Sequence, residues 1–377
     1  MAAKHQRIKV LFTIPNFDTA GSGKAMLKIA LGLNPSVFEP HIACFNSNGA
    51  FFKVVEASGI PVHIFSFTTE MRPIMKGLHR CWEISRFFKN HQFDLIHSFH
   101  YAPDYSEALA AKMAGIKWIF VKKNMNWGGS SANGWRLRSL LASRIAVQNK
   151  DMMREFYPGW KKVFYLTRGV DTAEFYPRER NLALLEEFGV GTNQRIIMCV
   201  ANMVPVKGIE ILILAFSRLT DKEAVLMLVG DRNNEYGALL EKQADELQIA
   251  NRVIFTGKRL NIADFLSIAG VFVLPTLNQG RKEGSPVSLL EAMACGVPVL
   301  GTAIPWIKDQ LENFPELLFE PGNPSALTEK LEALLLLDEN ATQQLRQRLL
   351  DSIRGYYTIQ REIRQHEELY ENCLKIS

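Results

Sequence analysis

The stretch EGSPVSLLEAMACGVPVLGT, residues 283–302, decides the fold. It follows the apolar run VFVLP (271–275) and ends in another, VPVLGT (297–302). Both runs are short, apolar and bounded by Gly or Pro, which predicts two buried strands. Between them a helix is expected, with Ser285 as a plausible N-cap and Pro286 at the first helical position. Gly284 allows a tight backbone path into that helix. The amides near residues 284–288 should then sit at the positive end of a helix dipole, where an anion is favoured. Glu283 lies on the loop, and Glu291 lies inside the helix, eight positions later. Glu291 is flanked by Leu290, Ala292 and Met293, so a carboxylate there needs a partner. Two acceptor groups with anion-binding amides between them suit a ligand that combines hydroxyls with a diphosphate.

Outward from this stretch, the same alternation covers most of the chain. Apolar runs near 8–14, 40–45, 61–66, 93–97, 117–122, 144–147 and 162–166 read as strands, with helical patterns between most of them. TRGVDTAEFYPRERN (167–181) is polar, holds a Pro and has no clear period, which reads as a linker. The alternation restarts with QRIIMCVAN (194–202), a helix from about 207, AVLMLVG (224–230), RVIFTG (252–257) and later ELLFE (316–320). From about 324 the chain reads as helical, ending in a long polar helix. The expected fold class is α/β, with two doubly wound Rossmann-like domains facing across a cleft. Ligands of such folds bind outside the carboxyl ends of the strands. The expected domains are 1–170 and 171–357.

Composition excludes several classes. The chain has 377 residues, 47% hydrophobic and 22% charged, as expected for an ordinary globular protein of two domains. The start, MAAKHQRIK, lacks the apolar centre of a signal peptide, and no apolar run is long enough to span a bilayer. Cys44, Cys81, Cys199, Cys295 and Cys373 are scattered, which fits reduced thiols in a cytosolic protein. Charge is uneven: residues 1–170 hold 23 Lys+Arg against 10 Asp+Glu, a net +13, leaving −8 for the remainder. A basic half points to an anionic membrane surface or a phosphorylated acceptor. Nucleic acid is not expected, because no recognition motif or aromatic–basic repeat is present.

A second candidate anion site is FDTAGSGKAM, residues 17–26. A P-loop would need Gly where Asp18 stands and a magnesium-binding hydroxyl where Ala25 stands. The dinucleotide fingerprint fails at Met26. What survives is a Gly-rich turn with Gly21, Ser22 and Gly23 ahead of an amphipathic helix. It reads either as amides open to an anion or as a tight turn that needs glycine.

The 283–302 stretch resembles the E-x7-E signature of retaining, nucleotide-sugar-dependent glycosyltransferases of family 4, which have the GT-B fold. VANMVPVKGIEILILAFSRL (200–219) is similar to that family's phosphate-binding strand–loop–helix. RVIFTGKRLNIADFLSIAGVFVLP (252–275) resembles its next block, and RGVDTAEFYP (168–177) its interdomain segment. The resemblance implies transfer of a hexosyl or N-acetylhexosaminyl group from a nucleotide-diphosphate sugar to a hydroxyl, with retention. No metal or further cofactor is implied. Glu283 would hold hydroxyls of the transferred sugar, Glu291 the ribose, and Lys207 the departing diphosphate. Gly21, Ser22, Gly23, Asn202, Gly284, Ser285, Pro286 and Val287 would complete the donor site.

Two departures stand out. Asn202, Met203 and Val204 occupy the place where the family usually has an Arg, and Arg281 or Lys282 would replace that charge. Asn124, after Lys122 and Lys123, stands where many members carry a His near the transferred sugar, and is the catalytic candidate there with Glu283 and Lys207. His97 and His100 in DLIHSFHYAPDY, with Lys123, are the acceptor-side candidates, by position at strand carboxyl ends. The expected acceptor is a sugar or lipid-linked sugar in polysaccharide, lipopolysaccharide or capsule biosynthesis. The expected location is cytoplasmic, with peripheral contact of the basic domain to the inner membrane face. The closing helix, about 358–377, is expected to pack back on the first domain. The rival readings are a nucleotide-sugar 2-epimerase and a non-catalytic GT-B scaffold.

Overall fold

The computed structural model describes residues 7–17, 20–49, 51–123, 125, 127, 131–279 and 285–375. The chain forms two compact units, Met1–Thr167 with Ile359–Ser377, and Arg168–Thr358. In the first, β1 (Ile8–Thr13), β2 (Phe38–Cys44), β3 (Val62–Ile64), β4 (Leu95–Ser98), β5 (Lys117–Lys122), β6 (Arg144–Val147) and β7 (Val163–Tyr165) make one sheet. Its order is β3-β2-β1-β4-β5-β6-β7, with parallel pairing throughout. In the second, β8 (Ile196–Val200), β9 (Val225–Val229), β10 (Val253–Gly257), β11 (Val271–Leu274), β12 (Val299–Thr302) and β13 (Leu318–Phe319) follow. Their order is β10-β9-β8-β11-β12-β13, again parallel.

Helices cover both faces of each sheet, so the strands are apolar without alternation. All five residues of β9, VLMLV, are buried, as are Val271, Phe272, Val273 and Leu274 of β11. Each such side chain contributes roughly 1.5–3 kcal/mol on burial. Every strand expected from the apolar runs is present, within about two residues at most ends. The order reverses between β1 and β4 and between β8 and β11. These two reversals create crevices at the strand carboxyl ends.

Two expectations fail locally. The 167–181 segment is not a free polar linker: Val170 is 1% and Phe175 5% exposed, and Arg178 pairs with Asp264 at 3.1 Å. Its two apolar side chains find cover in the second unit, and the polar ones are drawn in with them. Nor do Gly21–Gly23 form a turn ahead of a helix, because the helix Ala20–Gly32 already includes them. A Cβ on Gly23 would lie 2.9 Å from Phe17 Cδ1 and 3.3 Å from Phe51 Cδ1, so this glycine serves packing.

The closing helix, Ile359–Lys375, belongs to the first unit and buries Ile359, Leu369, Tyr370 and Cys373. It packs on the helix Ala20–Gly32, where a Cβ at Gly32 would sit 2.1 Å from Ile363 Cδ1. Gln365 Oε1 accepts from the Thr167 amide at 3.1 Å. Among the described residues, no helix is long and apolar enough to cross a membrane.

Candidate active site

In the second unit the crevice is built from two loops tied together. After β8 the chain passes the exposed Asn202 and enters a 3-10 turn, Pro205–Lys207, in which Lys207 is 8% exposed. Gly208 follows with φ +62°, and a Cβ there would lie 2.3 Å from the Pro275 carbonyl oxygen. Only glycine satisfies both the left-handed backbone and this approach. The Leu277 amide donates to the Val206 carbonyl at 2.8 Å, joining the loop after β11 to the Lys207 turn. Thr302 Oγ1 donates to Thr276 O at 2.7 Å and anchors the same loop to β12. Beyond the turn, the Tyr236 hydroxyl accepts from the Ile209 amide at 3.1 Å and donates to Glu210 Oε2. Gln243 Nε2 donates to Glu210 O at 3.0 Å, so the start of the helix Ile209–Ser217 is held from outside. Burial and the Glu210 carboxylate push the Tyr236 hydroxyl's pKa up, which keeps it a donor.

The helix after β11 runs Val287–Ala294, with Pro286 at its N-cap position rather than inside it. Ser285 does not cap it. Its Oγ instead accepts from Gln310 Nε2 at 2.9 Å, and the same Nε2 donates to Pro286 O at 2.8 Å. Gln310 is 4% exposed, so this amide fixes the entry of the helix from below. The buried side-chain amide wins Ser285 away from capping, and the helix start has no side-chain cap. Its first amides, from Val287 onward, are thus available to a ligand's anionic oxygens. Glu291 sits on this helix, partly buried, where its charge helps raise the Cys295 thiol. Glu283, Gly284, Arg281 and Lys282 lie outside the described residues, as does Asn124.

The first unit places its candidates differently. Gly21 and Ser22 are in the first turn of the helix after β1, Gly21 exposed and Ser22 half-buried. His97 is fully buried: Nδ1 and the Tyr370 hydroxyl lie 2.6 Å apart, and Nε2 has no partner among the described residues. Burial, the facing His366 and Lys123 hold its pKa well below the ordinary range. The expectation that His97 faces outward at the strand end is therefore corrected: its side chain points to the closing helix and is a neutral core group. His100 packs edge-on against Phe45 and Phe67, and burial lowers it to about 3. Lys123 Nζ donates to Phe99 O at 2.9 Å and lies 4.5 Å over the Phe99 ring.

Sequence reasoning missed a buried polar network at the same strand ends. Glu107 is fully buried, accepting from Thr13 Oγ1 at 2.5 Å and Ser98 Oγ at 2.7 Å. Arg138, also fully buried, donates to Ser98 Oγ (3.2 Å), His100 O (2.8 Å) and Asp104 O (2.6 Å). Its guanidinium lies 4.8 Å from the Trp118 ring centre and 4.9 Å from that of Phe120. Burial raises Glu107 and lowers Arg138, and the opposite charge of each partly offsets the other's shift. Beside them Lys122 is buried 4.1 Å over Trp135, and desolvation brings it down to about 7. The available signal was Glu107 itself, a carboxylate on the alanine face of SEALAAKMA.

Two parallel, doubly wound sheets with this strand order are those of the GT-B fold. Residues 183–349, within the second unit, match the family model described as "Glycosyl transferases group 1". The chain is 28% identical over 208 residues to the N-acetyl-alpha-D-glucosaminyl L-malate synthase of Bacillus anthracis, covering 55% of this chain and 52% of that protein. The chain thus spans about half the length of this curated relative. It is 26% identical over 302 residues to the N,N'-diacetylbacillosaminyl-diphospho-undecaprenol alpha-1,3-N-acetylgalactosaminyltransferase of Campylobacter jejuni, covering 74% and 78%. Among solved structures, Anabaena Alr3699/HepE in complex with UDP and glucose aligns over 97% of this chain and 100% of that one. Its TM-score is 0.80 at 19% identity, a likeness of fold.

Proposed function

We propose that this protein is a retaining glycosyltransferase that moves a hexosyl or N-acetylhexosaminyl group from a nucleoside-diphosphate sugar to a hydroxyl. The observation that carries this reading is the pair of tied loops in the second unit. One carries Lys207 and the other leads to the uncapped helix Val287–Ala294. The names of the relatives, a synthase and a transferase of amino sugars, speak for transfer rather than epimerisation. UDP and glucose in the Anabaena protein support a nucleotide-sugar donor.

In this reading Lys207 and the amides from Val287 onward stabilise charge on the diphosphate as the bond from the sugar C1 to its oxygen breaks. The acceptor oxygen bonds to C1, and its proton goes to the departing phosphate. Glu291 holds the ribose, Glu283 the sugar hydroxyls, and Ser285 and Pro286 shape the helix entry. Asn202 and Gly284 complete the donor contacts of the second unit. His100 and Lys123 serve the acceptor side, and His97 backs them from the core.

A lipid-linked sugar is the proposed acceptor, since the Campylobacter relative is named for one. The first unit holds 25 Lys+Arg against 14 Asp+Glu, a net +11. On its helix Ile74–Asn90, Ile74, Met75, Leu78 and Trp82 are 65%, 79%, 39% and 46% exposed. Arg72, Lys76 and Arg86 lie among them in sequence, with the Arg86 guanidinium 4.9 Å from the Trp82 ring centre. Apolar side chains rimmed by cations suit an anionic lipid surface, and a peripheral position on the inner membrane face follows.

The test is a thermal-shift screen against UDP, GDP, ADP, TDP and their sugar conjugates. A rise with one nucleotide diphosphate that is lost in Lys207→Ala and in Glu291→Ala is expected. No rise with any at millimolar concentration would move the scaffold reading ahead. Co-sedimentation with anionic and neutral vesicles tests the membrane contact, which should weaken in a Met75→Ser/Trp82→Ser variant.

A further inference from the structure

The second unit has a cavity at the opposite end of its sheet from Lys207. It is about 440 Å³, within the size range of small-ligand sites, and opens at the amino ends of β8, β11 and β12, where Ile196, Gly270 and Val297 line it. Arg178, Arg180, Arg195 and Arg346 line it too, and no carboxylate does. Two of these charges are answered: Arg178 pairs with Asp264 at 3.1 Å and Arg195 faces Asp221 at 3.6 Å. Among the described residues Arg180 donates to the Thr192 carbonyl, at 2.6 Å, and has no ion pair. Arg346 has no ion pair among the described residues, and its Nε and that of Arg178 are buried with no hydrogen-bond partner.

Arginines can also serve helix carboxyl ends, and two helices, Ile262–Ile268 and Val287–Ala294, end at this cavity. Each such end supplies about half a negative charge. Together they offset about one of the two unanswered guanidinium charges, so the cavity stays positive. An excess of positive charge around a space of ligand size favours an anionic occupant. Pro177, Leu266 and Leu350 add an apolar wall.

We propose that this cavity binds a phosphate-bearing small molecule, with Arg346 and Arg180 meeting the phosphate oxygens and the apolar wall meeting the body. Arginine forks match phosphate oxygens in pairs. This is a second site, independent of the proposed donor site and of the transfer reaction.

Cys295 lines the cavity, and it alone of the five free cysteines is not fully buried. Its thiol reports occupancy. Burial raises it to about 12, so it reacts slowly enough for rates to be compared. The experiment measures methanethiosulfonate modification of Cys295 by mass spectrometry, with and without inorganic pyrophosphate or glucose 6-phosphate, in wild type, Arg346→Gln, Arg180→Gln and Lys207→Ala. At least one of the two compounds should slow labelling of wild type and of Lys207→Ala alike. The concentration needed should rise about tenfold in Arg346→Gln, the loss of one charge-assisted contact. Melting temperatures of the variants confirm folding, and Arg180→Gln at the cavity mouth gives a second reading should Arg346→Gln unfold. Labelling that neither compound slows at millimolar concentration, or slowing that both arginine variants leave unchanged, would overturn the proposal. Slowing lost in Lys207→Ala but kept in the arginine variants would overturn it too, assigning the effect to the donor site.

Discussion

The two sheets share one strand order over six strands yet use their reversal points in opposite ways. In the first unit the crevice beyond β1 and β4 is filled by the protein's own polar groups: Thr13, Ser98, Glu107 and Arg138. In the second unit the crevice beyond β8 and β11 is lined by backbone: the Lys207 turn, the tied Pro275–Leu277 loop and an uncapped helix start. A buried network stiffens a loop because each member would be costly to leave unpaired. Open amides do the reverse, since they await a charge from outside. One topology thus yields a crevice filled from within in one unit and, in the other, a backbone-lined crevice where the donor site is proposed.

The largest effect should come from breaking the filled crevice. Arg138→Met removes the guanidinium and leaves Glu107 buried beside two hydroxyls, which should cost the first unit about 3–5 kcal/mol. Urea unfolding measures it. Adding Glu107→Gln should recover part of the loss, and a purely additive double variant would dissolve the idea of one network.

The open crevice should respond in rate rather than in fold. Lys207→Ala is expected to lower kcat by about 100- to 1,000-fold, the scale for one lost charge-stabilising donor, with the melting temperature nearly unchanged. A large stability loss with unchanged kcat would make Lys207 structural and blur the contrast between the units.

A third test separates the units by pH. His63 is held at about 4 by burial and by its neighbours His91 and His41, and His41 is lowered too. His41 Nδ1 and His63 Nε2 lie 3.1 Å apart, so both rings cannot carry two protons without losing that bond. Lowered histidine pKa values mean that the folded state binds fewer protons than the unfolded one. The stability is therefore present above the ordinary value near 6.5 and is lost as pH falls toward 4. Unfolding midpoints of the first unit should fall over that window, and His63→Phe should flatten the fall.

The smallest effect concerns the closing helix. Gly32→Ala gains helix propensity but drives a methyl into Ile363 Cδ1. The two terms nearly cancel, leaving a change of about 1 kcal/mol or less. Adding Ile363→Val should turn it to a gain, seen as a small rise in melting temperature.

Much of this was legible from local pattern. Unbroken apolar runs such as VFVLP and AVLMLVG can only be strands covered on both faces, so the parallel sheets follow from them. The helices that carry Glu291 and follow Lys207 were legible because each lies in a short stretch with its own helix signals. The N-cap role of Ser285 was misread because Gln310, distant in sequence, takes its hydroxyl. The glycine stretch is helical rather than a turn, and there Gly23 makes room for both Phe17 and Phe51.

The sequence by itself determined where strands and helices fall, which half is basic and where the helix after β11 lies. All of these depend on residues within a few positions of one another. Only the tertiary structure decided that His97 faces Tyr370 across 273 positions, that Ser98 joins Glu107 to Arg138, and that four arginines from three segments line one cavity. The reason is physical: burial and long-range pairing set the state of a polar group, and neither is written in its neighbours along the chain.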